Sequence, residues 1–228
     1  GKDEFGRDVI GLYPVLQDNT CYFLCTDFDD KNCEHGYQND VLAFVSVCKG
    51  WNVPCYIERS RSGNGAHVWI FFDAPITAIK ARKLGKFILA EAMNKDVRLS
   101  FKSYDRFFPN QDTLPEGGFG NLVALPLQGK ARKDRNSVFV DEDFNVYPDQ
   151  WEFLQNIRKI SEVTIDGLIE KHCSSFGELT KSSENKPWEV PTAESIVKSD
   201  FPSSITLTRA NMLYIPLAGL SAKVVNHF

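Results

Sequence analysis

Short apolar runs separated by polar and glycine-rich stretches are the dominant pattern along the chain. The runs are rich in aromatic and β-branched residues and too short for typical helices, which favours strands. We predict strands at Thr20–Thr26, Cys55–Glu58, His67–Phe72, Val97–Phe101, Leu122–Leu125 and Ser137–Val140. The glycine-containing loop between the second and third of these predicts a β-hairpin.

Four other segments carry apolar residues at helical spacing. We predict helices at Asp40–Lys49, Pro75–Asn94, Pro148–Ile160 and Val163–Lys171. Gly50 ends the first helix, Ile79 belongs to the apolar side of the second, and Trp151 lies on the apolar face of the third. Because strands and helices do not alternate regularly, their order predicts an α+β fold rather than a repeated βαβ fold.

The composition changes near the C-terminus. From Ser174 to Pro202 it shifts to Ser, Glu, Lys and Pro, which predicts an exposed linker. We therefore predict a core at residues 1–173, followed at residues 174–228 by a linker and a C-terminal extension that packs on the core.

Overall composition excludes several classes of protein. The chain has 228 residues, of which 43% are hydrophobic and 25% charged, so it is neither mostly disordered nor fibrous. No apolar run approaches the roughly 20 residues needed to span a bilayer, and the N-terminus lacks the apolar core of a signal peptide. We expect a cytoplasmic protein without membrane contacts, whose six cysteines are free, mostly buried thiols. A zinc site assembled from distant cysteines is the alternative.

An acidic pair follows the first predicted strand. Asp27 and Asp29 are two residues apart, so on a strand their carboxylates would lie on one face while Phe28 points into the core. Adjacent carboxylates repel unless a cation lies between them, and Mg²⁺ or Mn²⁺ prefers such oxygen ligands. The pair is either a divalent-metal site or a solvated turn.

The predicted hairpin contains residues suited to binding an anion. Two arginines, two serines and two glycines (Arg59, Arg61, Ser60, Ser62, Gly63 and Gly65) precede His67 at the start of a strand. Glycines allow backbone N–H groups to point outward, and hydroxyl and guanidinium groups add donors for a phosphate. The alternative is an ordinary glycine-containing hairpin.

A second basic cluster and further carboxylates lie downstream. Lys130, Arg132, Lys133 and Arg135 come just after a predicted strand, where they would either bind phosphates or form a solvated loop. Asp105 follows an apolar residue near the end of a short strand, whereas Asp112 in the same region is typical of a loop.

Taken in order, these features resemble the three motifs of the archaeo-eukaryotic primase superfamily: hydrophobic-Asp-x-Asp/Glu, small-x-His and hydrophobic-Asp. Here they read CTDFD, GAH and YD, with Gly65 where many relatives have Ser. Longer stretches resemble the branch found in TOTE conflict systems and in CRISPR-associated primase-polymerases, over about residues 8–160. They are GLYPVLQDNTCYFLCTDFDD, ERSRSGNGAHVWIFF, YDRFFPNQD, GFGNLVALPLQGKARKDRNSVFVD and YPDQWEFL.

The resemblance implies a fold and a set of site residues. The fold would be an RRM-like antiparallel sheet that forms the catalytic core, with an accessory α/β unit. Asp27, Asp29 and Asp105 would hold two Mn²⁺ or Mg²⁺ ions, and His67 would contact the phosphates of the incoming nucleotide. The other nucleotide-binding residues implied by position are Ser60, Arg61, Ser62, Gly63, Asn64 and Gly65, with Lys130 and Arg132 beyond them.

The resemblance also implies an activity and partners. The activity is that of a DNA primase-polymerase, a template-directed nucleotidyltransferase that uses dNTPs or NTPs to synthesise and extend primers. The partners are a single-stranded DNA template, a primer strand and nucleotides, with a helicase or CRISPR adaptation proteins in the full-length system. Two other functions stay open: a metal-dependent nuclease, and a non-catalytic RRM-like module that binds nucleic acid.

The net charge of −4, taken alone, argues against a nucleic-acid partner, but it averages two unlike parts. Residues 51–135 contain 14 Lys and Arg against 8 Asp and Glu, so the stretch with both basic clusters carries +6. The rest of the chain is acidic, and its acidic residues include two of the three implied metal ligands. The charge distribution therefore permits a nucleic-acid substrate.

Overall fold

The computed structural model describes residues 9–30, 36–95, 101–114, 117–118 and 120–180, with side chains up to residue 172. The chain divides into two units, Gly1–Glu170 and Lys171–Phe228, and the architecture below is that of the first. Residues 97–100 of the strand predicted at Val97–Phe101 lie outside the described residues. So does most of the linker and extension predicted for residues 174–228.

Seven strands are found in the described part of the chain. They are β1 (Gly11–Leu12), β2 (Thr20–Asp29), β3 (Tyr56–Arg59), β4 (Gly65–Thr77), β5 (Tyr104–Phe108), β6 (Val123–Ala124) and β7 (Val138–Val140). Five of them form an antiparallel main sheet in the order β5-β2-β4-β3-β7, and β1 pairs separately with β6. The predicted hairpin is confirmed as β3–β4, and the α+β class is confirmed as well.

The helices are α1 (Gly36–Gly50), α2 (Ala78–Lys95), α3 (Gln150–Gln155) and α4 (Glu162–Thr180). Helices α1 and α2 pack on β2 and β4 and cover one face of the main sheet, here called the helix face. Phe28 of β2 meets Phe44 of α1 at a ring-centroid distance of 5.9 Å. Gly85 lets α2 approach closely, because a Cβ there would lie 2.8 Å from Leu24 Cδ2.

The opposite face of the main sheet, here called the site face, carries a second apolar cluster. Its buried members are Phe23, Cys25, Trp69, Phe108, Val123 and Phe139. Side chains two positions apart on a strand share a face. Asp27 therefore continues the row that contains Cys25, and His67 continues the row of Trp69. The apolar cluster thus ends in polar groups at one end of β2 and β4.

Two predictions about the centre of the chain were wrong. Strand β4 runs to Thr77, so Pro75 lies in a strand and α2 begins at Ala78. The strand persists because Thr20 and Cys21 pair with Thr77 and Ile76 beyond a register shift. Pro75 lies within that irregular stretch, where a missing N–H removes no ladder hydrogen bond. Ile79, expected on the apolar side of the helix, is 56% exposed.

The helices near residue 150 also differ from expectation. Helix α3 spans only Gln150–Gln155, and Trp151, expected on an apolar face, is 61% exposed. Asp149 caps the helix by accepting from the N–H groups of Trp151 and Glu152. Residue Ile160 leaves the predicted helix and bridges to Phe72 of β4. Helix α4 continues past the predicted end at Lys171 to Thr180, so the segment 174–180, expected to belong to a linker, is helical.

Four cysteines fall among the described side chains, and the expectation of free thiols is confirmed for them. Cys21, Cys25 and Cys48 are buried and Cys55 is half-buried. Burial raises the pKa of the Cys21 thiol to about 12. Of the helices in the described ranges, none combines the length and the apolar composition that a bilayer span requires.

A buried carboxylate on α1 supports the main sheet, and its removal is expected to destabilise the protein. Asp40 is 5% exposed and accepts hydrogen bonds from the N–H and hydroxyl of Ser103, whose own carbonyl accepts from the N–H of Asp29. Asp40→Ala leaves the buried Ser103 donors without their acceptor, which costs about 1–3 kcal/mol of unfolding free energy. Urea denaturation measures this loss. Asp40→Asn, which retains an acceptor oxygen, should lose less, and wild-type stability of the alanine variant would contradict the prediction.

Candidate active site

Three carboxylates converge on the site face where β2 and β5 lie side by side. Asp27 and Asp29 belong to β2 and Asp105 belongs to β5, and all three are half-buried. Each offers one carboxylate oxygen, and these oxygens all lie within 4.8 Å of one another. In the described part of the chain, no other group of three or more His, Cys, Asp or Glu side chains brings its ligand atoms this close together. The acidic pair is thus within a strand, not in a solvated turn after it.

A β-bulge explains how Asp105 reaches the other two carboxylates. Asp27 pairs with Arg106 and Phe28 pairs with Tyr104, so Asp105 is the extra residue in β5. Tyr104 packs against Phe28 toward the helix face, at a centroid distance of 6.3 Å. Regular alternation from Arg106 would also turn Asp105 toward that face. The bulge instead places Asp105 beside Arg106, whose Nε donates to its Oδ2 at 2.6 Å. The prediction that Asp105 lies near the end of a strand was wrong, because it is the second residue of β5.

The charge of the cluster matches the requirements of a divalent cation. Three carboxylates this close repel one another unless positive charge compensates them. Arg106 supplies part of that charge, and its hydrogen bond to Asp105 raises the pKa of its guanidinium further. Carboxylate oxygens are the ligands that Mg²⁺ and Mn²⁺ favour. The residues present therefore fit a divalent-metal site.

His67 lies next to the acidic cluster on β4. Its Nε2 is 3.4 Å from Oδ1 of Asp27, and its Nδ1 is 2.9 Å from Oε2 of Glu58. Burial alone lowers the pKa of the imidazole, but the two carboxylates outweigh burial and raise the pKa to about 10. Carboxylate oxygens beside both ring nitrogens favour the imidazolium form, in which both nitrogens carry hydrogen.

The loop between β3 and β4 leads into His67. Gly63 has a φ of +83°, a conformation that glycine adopts readily, and its N–H donates to the Ser60 carbonyl. The hydroxyls of Ser60 and Ser62 are 3.0 Å apart, and the Asn64 N–H donates to the Ser62 hydroxyl. The Asn64 carbonyl in turn accepts from the N–H of Asp30, just after β2. The loop is thus held against the strand that carries two of the carboxylates.

The residues that the sequence predicts to bind an anion differ in their exposure. Arg61, Ser62 and Asn64 are exposed at the loop, whereas Ser60 and Gly65 are buried. Arg59, expected to share in anion binding, donates instead to the carbonyls of Arg135 and Phe144. Its guanidinium therefore joins two backbone segments, and anion binding by Arg59 stays a prediction.

The downstream basic cluster neighbours this loop. Lys130 and Arg132 are exposed in and beside a 3₁₀ turn at Ala131–Asp134. The segment after the turn is joined to the loop, because the Ser137 N–H donates to the Ser60 carbonyl and the Asn136 side chain lies against Gly63.

Asp112 forms an ion pair with Arg82 of α2, apart from the acidic cluster.

One residue of the site, Glu58, was not singled out from the sequence. It pairs with His67 across the β3–β4 hairpin and is 1% exposed. The signal that could have found it is the hairpin register: because Arg59 pairs with Ala66 beyond the loop, residue 58 lies opposite residue 67. A carboxylate facing a histidine on a buried strand pair is an expected partner for its ring.

Comparison with known proteins identifies a family whose model matches most of the chain. The model of the family described as "TOTE conflict system, Archaeo-Eukaryotic Primase domain" matches residues 4–168. That range contains all three carboxylates, the β3–β4 loop and the downstream basic cluster. No curated protein sequence matches the chain.

Proposed function

Because this chain belongs to the TOTE conflict system archaeo-eukaryotic primase family, whose members are primase- and polymerase-like nucleotidyltransferases, we propose that it is a DNA primase-polymerase core. It would copy a single-stranded DNA template by template-directed nucleotidyl transfer from dNTPs or NTPs, starting and extending primers. Such domains typically depend on divalent metal, and we propose Mn²⁺ or Mg²⁺, bound as two ions.

The observation that carries the proposal is that a group suited to a divalent metal and a group suited to phosphates lie at the same end of the main sheet. Asp27, Asp29 and Asp105 supply the first. His67 and the loop at residues 60–65 supply the second, and Nε2 of His67 is 3.4 Å from an oxygen of Asp27. A polyphosphate at His67 would therefore lie beside the acidic cluster, as transfer from a nucleoside triphosphate requires.

The chemistry follows from these positions. Divalent cations held by the three carboxylates would promote ionisation of the attacking hydroxyl and neutralise charge on the phosphates. The 3′-hydroxyl of the primer loses its proton to solvent and its oxygen forms a bond to the α-phosphorus. The bond from that phosphorus to the bridging oxygen breaks, and pyrophosphate leaves. Nε2 of His67 donates to a phosphate oxygen, and the hydroxyls and backbone N–H groups of the loop add further donors.

The proposed substrate and partners agree with the charge distribution. Residues 51–135 carry a net +6 within an acidic chain, and they include His67, the loop and the basic pair Lys130 and Arg132. We propose that His67, the loop and the basic pair contact the nucleotide, the primer and the single-stranded template, whereas the basic residues that α2 contributes to this stretch belong to the helix face. Only the family resemblance supports a helicase or CRISPR adaptation proteins as further partners.

Incubation with a single-stranded template, Mn²⁺ and labelled nucleotides tests the proposal. We expect labelled primers to lengthen when dNTPs or NTPs are present, and new labelled oligonucleotides to form without any primer. Separate reactions with dNTPs and with NTPs give the sugar preference.

Two outcomes would contradict the proposal. Shortening of a labelled strand with metal but without nucleotides would identify a nuclease. Retention of the strand in a gel shift, with its length unchanged under every condition, would identify a binding module.

A further inference from the structure

Glu58 is a buried carboxylate with three hydrogen-bond donors around it. Oε2 accepts from Nδ1 of His67 at 2.9 Å and from Nε1 of Trp69 at 2.8 Å. Oε1 accepts from the hydroxyl of Ser137 at 3.3 Å. A carboxylate that is 1% exposed is costly unless such partners compensate it. The arrangement therefore has a defined polar geometry rather than a solvated charge.

These contacts fix the orientation of the His67 ring. Nδ1 is committed to Glu58, so Nε2 is the ring nitrogen that faces Asp27 and the acidic cluster. The ring edge also packs against Trp69, with an interplanar angle of 86°. Since the same carboxylate oxygen binds both His67 and Trp69, rotation of the imidazole would break a hydrogen bond in a buried network.

The third donor, the Ser137 hydroxyl, joins this network to the segment that carries the downstream basic cluster. Ser137 lies just before β7, and its N–H donates to the carbonyl of Ser60 in the loop. Glu58 thus contacts the strand of His67 and the residue that ties the downstream segment to the loop.

We propose that Glu58 is the positioning residue of this site: it holds Nδ1 of His67 so that Nε2 is presented to the phosphates of the bound nucleotide. The proposal rests on the proposed nucleotidyltransferase function for the identity of the ligand, but the orientation of the ring does not depend on it. Because Glu58 is 1% exposed, it would contact neither a bound metal ion nor the nucleotide directly. Its effect on activity is therefore exerted through His67.

Four variants separate positioning from a purely structural role. Glu58→Leu removes the acceptor at similar volume. Glu58→Gln keeps an acceptor oxygen for His67 and Trp69, and its amide nitrogen can donate to the hydroxyl of Ser137. His67→Ala removes the group on which Glu58 acts. Ser137→Ala perturbs the same carboxylate but leaves its contact with His67 intact.

We expect the variants to differ in their KM for the nucleotide. His67→Ala and Glu58→Leu should each raise the KM for the nucleotide about tenfold or more, because a charge-assisted hydrogen bond is lost or misdirected. Glu58→Gln should stay within about threefold of wild type, and Ser137→Ala should lower the melting temperature without raising KM. The double variant Glu58→Leu/His67→Ala should be no worse than His67→Ala within about twofold. Additive losses in the double variant would overturn the proposal.

A measurement on the wild-type protein keeps the proposal testable if Glu58→Leu does not fold. In protein labelled with ¹⁵N-histidine, the His67 signals can be assigned by their loss in His67→Asn. We expect Nδ1 to carry a hydrogen with a resolved one-bond coupling, from a ring in one orientation. An Nδ1 without hydrogen, or a ring exchanging between orientations, would overturn the proposal. A fixed ring in a protein that incorporates no nucleotide would instead leave the positioning geometry standing and reject the proposed function.

Discussion

Replacing Asp27 or Asp29 by Asn is expected to reduce nucleotide incorporation at least about a thousandfold, because divalent ions contribute several kcal/mol of charge stabilisation to phosphoryl transfer. Each replacement removes one of three oxygen ligands that lie within 4.8 Å of one another. An amide is a weaker ligand for these ions and leaves the site one negative charge short. Primer extension under single-turnover conditions in Mn²⁺ measures the loss.

The fold should survive these substitutions. Both side chains are half-buried, and Asn has nearly the same volume as Asp. Removing one of three mutually repelling carboxylates relieves repulsion in the metal-free protein, which at Asp27 offsets the loss of its ion pair with His67. We therefore expect an unchanged or slightly raised melting temperature without metal, and loss of the stabilisation that Mn²⁺ gives the wild type.

Asp112→Asn is the matched control for the acidic cluster. Asp112 is an exposed carboxylate in the same region that pairs with Arg82 instead. The control should retain incorporation and the Mn²⁺-dependent shift in melting temperature. Near-wild-type incorporation by a well-folded Asp27→Asn/Asp29→Asn double variant would rule out the assigned metal site.

Much of the main sheet could be predicted because its strands obey local rules. The apolar run that became β2 and the hairpin of β3 and β4 both carry their signal within a few residues. Pro75 shows the limit of such rules. It resembles a helix start in sequence, but pairing of Thr20 and Cys21 with the end of β4 extends the strand past it. That pairing depends on a partner more than 50 residues away, which no local pattern contains.

The same distinction applies to the site. The spacing of Asp27 and Asp29 implies a shared strand face by alternation alone. Asp105 could be joined to them only through family resemblance, because a bulge changes the alternation of β5. Glu58 was missed for a related reason: whether a carboxylate on a short strand is solvated or buried against a histidine depends on the register across the hairpin.

Gly65→Ala is expected to lower nucleotide incorporation by about a hundredfold, since displacements near 1 Å in a catalytic site cost that much. Gly65 pairs with Asp29 across β2 and β4. A methyl group on residue 65 would overlap the carbonyl oxygen of Phe28 and lie 3.3 Å from Cα of Asp29. Both neighbours are backbone, so the methyl group can be accommodated only by moving the strands apart. The strand end that moves carries Asp29, and His67 lies two residues further along β4.

The overlap should also cost about 1–3 kcal/mol of unfolding free energy, as overpacking in a core does. Urea denaturation gives this value, and incorporation assayed well below the melting temperature separates the loss of activity from unfolding. Gly167→Ala is the matched control, because a Cβ built there in helix α4 has no atom within 4 Å apart from the adjoining residues and the backbone of its own helix. Alanine is favoured over glycine inside helices by up to about 1 kcal/mol, so the control should be more stable and fully active. A Gly65→Ala protein as stable and as active as wild type would mean that β2 and β4 can separate without moving the carboxylates. The close backbone contact at Gly65 would then have no part in holding the acidic cluster beside His67.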